Sequence, residues 1–464
     1  MRSSRANGRS SSSAPMCPRN VLNEWAPYPA EPPLAKGESM ASHTVPNGKT
    51  AVHFTIPAGV DATIVETNPL PRLADPAEAI RRAILNPIGS PRLSERVKPG
   101  QKVAIIATDI TRKLPEEIIL PILVKELGKG GIRDEEITIV VATGTHRPNT
   151  PAEFVAMYGE AICSRFRVVN HNAWAPQGLV DLGRSRNGIP LVVNRQVAEA
   201  DIRISTGVIE THLFAGYSGG VKSVAVGVAG EATIGATHNY AMMKKTRLGQ
   251  IENNPFRDFL TEAATAVGLD FIVNVIQTGN KELVRVVAGD PVEAFREGVK
   301  TARAMVEVEI DRPGDIVIAG VAYPKSRDLY QASRAANTSF FGPRPVVKKG
   351  GVILIPAGCE DGFGHAGYVD WMQHCKGPAA IIQYACDSGF APGDQKALIL
   401  AWILEHARIV VTDCRIAPAE LAAIHLESAP TLQAAVDAEL KKRPDARVIV
   451  IPDALLALPI VRGE

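Results

Sequence analysis

Short apolar runs alternate with longer segments of helical periodicity from about residue 50 to the end of the chain. Each run is continuous and rich in β-branched residues, which is typical of strands buried on both faces of a sheet. The alternation predicts an α/β fold with mostly parallel sheets. The clearest predicted strands of the first half are residues 102–110, 137–144, 189–194 and 201–209.

A second series of strands follows a polar break at 309-EIDRPGD-315. Its predicted strands are residues 315–320, 351–358, 408–413 and 447–453, and predicted helices over 394–407 and 431–443 lie between them. We therefore predict two α/β domains, residues 46–308 and 309–464, with the active site in the cleft between them.

The first 45 residues have a different composition from the rest of the chain. They are rich in Ser and Arg at their start and contain few large apolar residues, so burial cannot offset the entropy of ordering them. We predict a disordered tail over residues 1–45.

Composition limits the classes of function. The 464 residues include 51 basic and 49 acidic side chains, a net charge of +2, with no basic stripe of the kind that binds nucleic acid. No apolar run reaches the length of a membrane span, and the six cysteines lack zinc-site or disulfide spacing. We expect a cytoplasmic protein whose partner is a small molecule, with neither nucleic acid nor membrane as a partner.

Polar side chains follow three of the predicted strands at their carboxyl ends. Asp109 and Arg112 follow the first, His146 the second, and Glu210 and His212 the fourth. Ligands of open α/β sheets bind at these ends. The sequence therefore predicts that three loops converge on one site.

The run 207-GVIETHLFAGYSGGVKSVAVGVAG-230 contains a glycine-rich turn and one lysine, Lys222. A phosphate loop requires GxxxxGK[ST], but Val221 stands where the second glycine belongs. Gly219 and Gly220 still permit close backbone approach, so an anion could lie nearby. A buried lysine also loses its charge and becomes nucleophilic, which makes Lys222 a candidate for covalent attachment.

Four motifs together carry a family resemblance: DITR at 109–112, GTHRP at 144–148, ETHLFAGYSGGVKS at 210–223 and THN at 237–239. In this order and spacing the chain resembles the nickel-pincer lactate racemase family, over most of its length beyond the tail.

The resemblance implies a cofactor. Lys222 would be joined covalently to the nickel pincer nucleotide, a pyridinium 3,5-bisthiocarboxylic acid mononucleotide carrying nickel, and His238 would supply a ligand to the metal. Asp109 would lie near the cofactor. Cofactor-biosynthesis enzymes would be partners, since they supply the pincer.

The resemblance also implies a reaction, the racemisation or epimerisation of a 2-hydroxy acid such as lactate. His146 and His212 would exchange the hydroxyl proton, which suits imidazoles because their pKa lies near neutrality. Arg112 would bind the substrate carboxylate. The cofactor ring would accept a hydride from the substrate and return it to either face of the flat keto acid.

The second half offers further substrate-binding residues. The family's glutamine matches Gln331, but Arg334 replaces the lysine that follows three residues later. Arginine keeps the charge and changes the reach, so the substrate could differ from lactate. His365, Tyr368 and Trp371, in 361-DGFGHAGYVDW-371, are candidate pocket walls.

Other interpretations stay open at the level of sequence. Asp109 alone could cap a turn, and Lys222 alone could be a solvated side chain. Gly216 with Lys222 could belong to a phosphate-loop-like nucleotide-binding enzyme. The chain could instead be a non-catalytic homologue that binds the cofactor or a hydroxy acid, and a weaker alternative is a zinc hydrolase with three histidine ligands.

Overall fold

The computed structural model describes residues 40–391 and 393–462. Most of the predicted tail, residues 1–45, lies outside the described residues. Its last six residues, 40–45, form the beginning of a strand.

The described chain alternates strands and helices. The strands are β1 (Met40–Gly48), β2 (Thr50–Pro57), β3 (Ala62–Ile64), β4 (Val103–Thr108), β5 (Ile137–Ala142), β6 (Arg167–Asn170), β7 (Leu179–Arg184), β8 (Pro190–Asn194), β9 (Ile202–Val208), β10 (Thr211–His212), β11 (Gly216–Tyr217), β12 (Phe271–Gln277), β13 (Leu283–Gly289), β14 (Glu307–Ile310), β15 (Gly314–Ala319), β16 (Val321–Ala322), β17 (Val347–Pro356), β18 (Arg408–Thr412), β19 (Glu427–Ala429), β20 (Val448–Ile451) and β21 (Leu458–Val461).

The helices have bounds as follows: α1 (Pro76–Leu85), α2 (Leu93–Arg96), α3 (Glu116–Lys129), α4 (Pro151–Tyr158), α5 (Glu160–Arg165), α6 (Arg195–Ala198), α7 (Glu231–Thr237), α8 (Tyr240–Met243), α9 (Pro255–Val267), α10 (Glu293–Val306), α11 (Leu329–Ala332), α12 (Arg334–Phe340), α13 (Ala366–His374), α14 (Pro378–Ser388), α15 (Gln395–Leu404), α16 (Pro418–Ala423) and α17 (Leu432–Lys442). None of the helices in these described ranges is both long enough and apolar enough to cross a membrane.

The first large sheet has six strands in the order β13-β12-β9-β4-β5-β6. All neighbours are parallel except β13, which runs antiparallel to β12 at one edge. Three of the predicted strands are β4, β5 and β9. The fourth prediction, 189–194, is confirmed as a strand, β8, although β8 pairs with β7 in a separate antiparallel hairpin and not in the large sheet. The sheet position beside β9 is taken by β12, which the sequence analysis did not identify.

The second large sheet is wholly parallel, in the order β19-β18-β17-β15-β20-β3. Its central strands are buried on both faces, as their continuous apolar runs predict. Ile316 and Ile318 of β15 belong to the core on one face, which the β1–β2 hairpin and α17 cover. Val317 and Ala319 belong to the core on the other face. The α/β fold with mostly parallel sheets is therefore confirmed.

The beginning of the described chain is part of the second half of the protein. Strand β3 forms the edge of the second large sheet beside β20, and β1 pairs with β16. The predicted domain boundary between residues 308 and 309 falls inside β14, which pairs with β21. One continuous apolar core extends from the first sheet, at Ile106, to the second sheet, at Ile353. The packing therefore links the two halves.

Candidate active site

The ring of His146 lies against the carboxylate of Asp109, with Nδ1 2.7 Å from Oδ2. The other carboxylate oxygen of Asp109 accepts hydrogen bonds from the amide and hydroxyl groups of Thr111. Burial raises the pKa of Asp109, but the hydrogen bonds from His146 and Thr111 outweigh burial and hold the pKa below its ordinary value. Since an ionised carboxylate only accepts, Nδ1 of His146 carries a proton. In a neutral ring, Nε2 is then free to take a proton.

His212 carries its ring proton on Nε2, whereas His146 carries a proton on Nδ1. Its Nδ1 accepts hydrogen bonds from the backbone N–H groups of Phe214 and Ala215, both at 3.2 Å. Burial, followed by repulsion from Lys222 and Arg112, lowers the pKa of His212 well below its ordinary value. The ring is therefore neutral and carries its proton on Nε2.

Phe214 separates His212 from His238. Its ring contacts both imidazoles edge-on, with centroid distances of 6.2 Å to His212 and 5.4 Å to His238. Nδ1 of His238 lies 2.9 Å from the carbonyl oxygen of Ile234, which only accepts, so this nitrogen holds the proton. Burial lowers the pKa of His238 to about 4. A neutral imidazole whose Nδ1–H is bound to a carbonyl leaves Nε2 free, as in metal-ligating histidines.

The turn before Lys222 packs tightly against neighbouring elements. Gly219 and Gly220 have φ angles of +79° and +57°, which glycine adopts without strain. The N–H of Gly220 donates to Oδ1 of Asn274 at 2.6 Å, and a Cβ on Gly220 would lie 2.8 Å from the ring of Phe295. The glycines therefore bring the turn against β12 and α10. This N–H is not available to cradle a phosphate, which disfavours the phosphate-loop interpretation.

Lys222 is half-buried directly before a π-helical turn, Ser223–Gly227. Burial, then repulsion from Arg112 and Arg257, lowers its pKa to about 7. Among the residues that the structure describes, no side chain forms a hydrogen bond or an ion pair with this amine. A large fraction of Lys222 is therefore neutral and nucleophilic near pH 7.

Both halves of the protein contribute cations to the site. Arg112 forms an ion pair with Glu210 at 3.3 Å, not with Asp109. Arg334, at the start of α12, lies 3.4 Å from Oε1 of Gln331. The charge of Arg334 also lowers the pKa of His212, which belongs to the first half. Residues of both halves are therefore close enough for their charges to interact.

Comparison with known proteins shows the family of the chain. The sequence matches the lactate racemase N-terminal domain over residues 47–249 and the lactate racemase C-terminal domain over residues 309–458. It is 33% identical over 384 residues to a lactate racemase of Lactiplantibacillus plantarum, covering 82% of this chain and 89% of that protein. The chain belongs to the lactate racemase family. A lactate racemase of Thermoanaerobacterium thermosaccharolyticum is 32% identical over 385 residues, covering 81% of this chain and 89% of that protein.

A solved structure of a family member has the same architecture. The lactate racemase apoprotein from Thermoanaerobacterium thermosaccharolyticum superposes with a TM-score of 0.81 at 30% identity, covering 91% of this chain and all of that one. A protein from Thermotoga maritima, at 19% identity and a TM-score of 0.60, covers 83% of this chain and 98% of its own, and shares the fold alone. Membership of the lactate racemase family confirms the predicted enzyme class, an isomerase that acts as a racemase.

Two residues at the start of α9, which the sequence did not predict, hold the His212 loop of this lactate racemase family member. Arg257 is buried and donates hydrogen bonds to the carbonyl oxygens of Ala215 and Tyr217. Asn254 donates to the carbonyl oxygen of Phe214 at 2.8 Å, and its Oδ1 caps the helix. The Asn-Pro pair predicts a helix start at this point, but its contact with a loop 40 residues earlier leaves no sign in the sequence.

Glu116 is a second omission. It lies fully buried at the start of α3 and accepts hydrogen bonds from the N–H of Thr108 and the hydroxyl of Thr206. Burial raises its pKa to about 7. Glu116 therefore ties the end of β4, which precedes Asp109, to β9. A glutamate in the first turn of a helix is ordinarily solvated, so its sequence position gave no signal.

The loop at 361–371 differs from the prediction. Tyr368 is fully buried and donates its hydroxyl proton to the carbonyl oxygen of Phe363, so it is a core residue and not a pocket wall. Trp371 packs edge-on against Tyr384. His365 does lie near α11, the helix that carries Gln331. Its ring centroid is 5.7 Å from that of Tyr330.

A cavity of about 1050 Å³ lies behind the lysine-bearing turn. Val221, Arg257 and Phe295 are part of its lining, but none of the predicted site residues is. Within the described residues, no group of three or more His, Cys, Asp or Glu side chains is arranged to hold a metal ion. His146, His212 and His238 therefore do not form a ready zinc site, which disfavours the zinc hydrolase.

Proposed function

We propose that this chain racemises a 2-hydroxy acid, lactate or a related compound, with a nickel pincer nucleotide attached at Lys222. The observation that carries the proposal is a half-buried amine, unpaired within the described residues, near two histidines that carry their ring protons on different nitrogens. The names of the curated relatives, both lactate racemases, support the reaction class.

The residues present fit the cofactor that the family implies. Lys222 has a reactive neutral amine near pH 7, which suits a covalent tether. His238 has its Nδ1 proton bound to the carbonyl oxygen of Ile234, which leaves Nε2 as a metal ligand. When bound, the cofactor would supply the chemistry of accepting a hydride from the substrate carbon and returning it.

Residues of the chain itself would bind the substrate carboxylate and transfer the hydroxyl proton. Arg112 binds the substrate carboxylate, with Gln331 and Arg334 as further contacts from the second half. His146 takes the hydroxyl proton of one enantiomer at Nε2, while Asp109 stabilises the resulting imidazolium. His212 starts as a neutral N–H donor that polarises the substrate oxygen.

Substrate binding should make it easier for His212 to take up and release a proton. Its pKa is depressed first by burial and then by the charges of Lys222 and Arg112. A substrate carboxylate bound at Arg112 would offset the charge of that guanidinium. This would favour proton uptake by His212, so that both histidines could serve as acid and base in turn.

A chiral assay of protein co-expressed with cofactor-making enzymes tests the proposal. We expect D- and L-lactate, or a related 2-hydroxy acid, to interconvert, and His146→Ala and His212→Ala each to lower kcat by roughly 100-fold or more while nickel stays bound. Full turnover in both variants would contradict the acid–base roles. A nickel-loaded protein that interconverts no 2-hydroxy acid would contradict the proposed function itself.

A further inference from the structure

The peptide groups on both sides of Thr108, the last residue of β4, are held by side chains of two helices. The N–H of Thr108 donates to Oε1 of Glu116 in α3 at 2.9 Å. The carbonyl oxygen of Thr108 accepts the hydroxyl proton of Tyr158 in α4 at 2.6 Å. Because Asp109 follows Thr108 directly, these two contacts fix the peptide from which Asp109 extends.

Glu116 is itself held by a neighbouring strand. The hydroxyl of Thr206, in β9, also donates to Oε1 of Glu116. Glu116 is fully buried, and its second oxygen, Oε2, has no hydrogen-bond partner among the described residues. Oε1 therefore joins α3, β4 and β9, and it can accept these hydrogen bonds whether or not Oε2 carries a proton.

Tyr158 connects the same peptide to the loop of His146. Arg147, next to His146, donates to both carboxylate oxygens of Glu153, which lies in α4 together with Tyr158. Paired hydrogen bonds of this kind fix geometry as well as charge. Tyr158 is fully buried at the end of that helix. Its hydroxyl thus joins a helix that is bound to the His146 loop to the peptide that precedes Asp109.

The contact between Nδ1 of His146 and Oδ2 of Asp109 depends on how these two loops are placed. A displacement of about 1 Å along this contact would lengthen it from 2.7 Å to beyond the range of a hydrogen bond. We infer that Glu116 and Tyr158 are positioning residues for the Asp109–His146 pair and act through the Thr108 peptide. The inference rests on the proposed function, because it takes His146 as the base.

Tyr158→Phe removes one oxygen atom and leaves the carbonyl oxygen of Thr108 without its donor. In the cofactor-loaded enzyme we expect kcat to fall by roughly 10-fold, a larger effect than any rise in KM. Tyr368→Phe is the matched control for stability, since the Tyr368 hydroxyl is also buried and also donates to a backbone carbonyl.

Two variants of Glu116 separate the acceptor oxygen from the charge. Glu116→Gln keeps Oε1 as an acceptor and should retain most of kcat. Glu116→Met fills a similar volume without an acceptor, so kcat should fall by about 10- to 100-fold. Urea unfolding of each variant defines the temperatures at which the comparison is made on folded protein.

Nitrogen NMR of the full-length protein, labelled at histidine, reports the proton position of His146 without turnover. The signal is the one that His146→Gln removes, and the measurement is made at a pH where the ring is neutral. We expect an Nδ1–H ring in the wild type, in Glu116→Gln and in Tyr368→Phe. Tyr158→Phe and Glu116→Met should give a mixture of Nδ1–H and Nε2–H rings.

Unchanged kcat in folded Tyr158→Phe and Glu116→Met would overturn the inference and leave the proposed function standing. A reduced kcat with His146 still wholly in the Nδ1–H form would also overturn it, because the loss would then arise elsewhere. Failure of the proposed function is distinct, since a loaded wild type that interconverts no 2-hydroxy acid leaves the NMR comparison intact.

Discussion

Nδ1 of His146 lies 2.7 Å from Oδ2 of the buried Asp109. The contact fixes the proton of His146 on Nδ1 and leaves Nε2 to act as a base. It also joins the first two strand ends of the site, since Asp109 follows β4 and His146 follows β5.

Asp109→Asn tests this orienting role. The amide removes the negative charge that stabilises a protonated His146, so kcat should fall by roughly 10- to 100-fold, as for other residues that orient a functional side chain. The mass adduct on Lys222 and the nickel content should be measured on the same sample. Retention of both, with kcat reduced, supports the role through His146, whereas loss of the adduct would assign Asp109 to cofactor binding instead.

His212→Asn and His212→Ala form a matched pair. Asparagine offers Oδ1 as an acceptor for the N–H groups of Phe214 and Ala215, whereas alanine leaves both without their partner. We expect His212→Ala to lose about 1–3 kcal/mol of stability in urea unfolding and His212→Asn less than about 1 kcal/mol. Both should lower kcat by roughly 100-fold or more. Normal turnover in His212→Asn would show that the ring serves only the fold of the loop.

Arg257→Met tests whether α9 positions the His212 loop. The change leaves the carbonyl oxygens of Ala215 and Tyr217 without their charged donor, so we expect a loss of about 3 kcal/mol in urea unfolding. At temperatures where the variant stays folded, kcat should still be reduced because His212 is no longer held in place. Unchanged kcat in folded Arg257→Met would make Arg257 a purely structural residue.

Lys396→Met tests the burial of the Lys396 amine through the pH dependence of stability. Burial, then repulsion from Arg334, lowers the pKa of Lys396 to about 7, whereas an unfolded lysine titrates near 10.5. Between these values the unfolded chain binds a proton that the folded chain does not, so wild-type stability rises with pH. Relative to Lys396→Met, it should rise by up to about 1.4 kcal/mol per pH unit from pH 7 towards pH 10. A constant difference across this range would contradict the buried position of the amine.

The sequence predicts the fold class because central strands of parallel sheets are buried on both faces and read as continuous apolar runs. That signal located β4, β5 and β9, but it could not separate β8, an equally apolar strand that pairs in a hairpin. Strand β12 was missed because Asn274 interrupts its apolar run, and Asn274 is the residue that binds the turn before Lys222.

The predicted site residues are those for which a motif coincides with a loop that follows a predicted strand. Lys222, His146 and His212 stand in such motifs, and the structure brings their loops together. Lys396 and Arg257 do not, because long-range packing buries them and leaves no local pattern in the sequence. Arg334 was singled out from the sequence because it stands where the family resemblance implies a lysine.

Attachment of the cofactor at Lys222 is the central claim, and intact-protein mass spectrometry with nickel analysis tests it most directly. Wild-type protein and Lys222→Ala would each be co-expressed with cofactor-making enzymes whose output is verified on a known lactate racemase. We predict a mass adduct of mononucleotide size and roughly one nickel per chain in the wild type, with the adduct absent from Lys222→Ala. A wild-type protein with neither adduct nor nickel, or an adduct that persists in Lys222→Ala, would contradict the account.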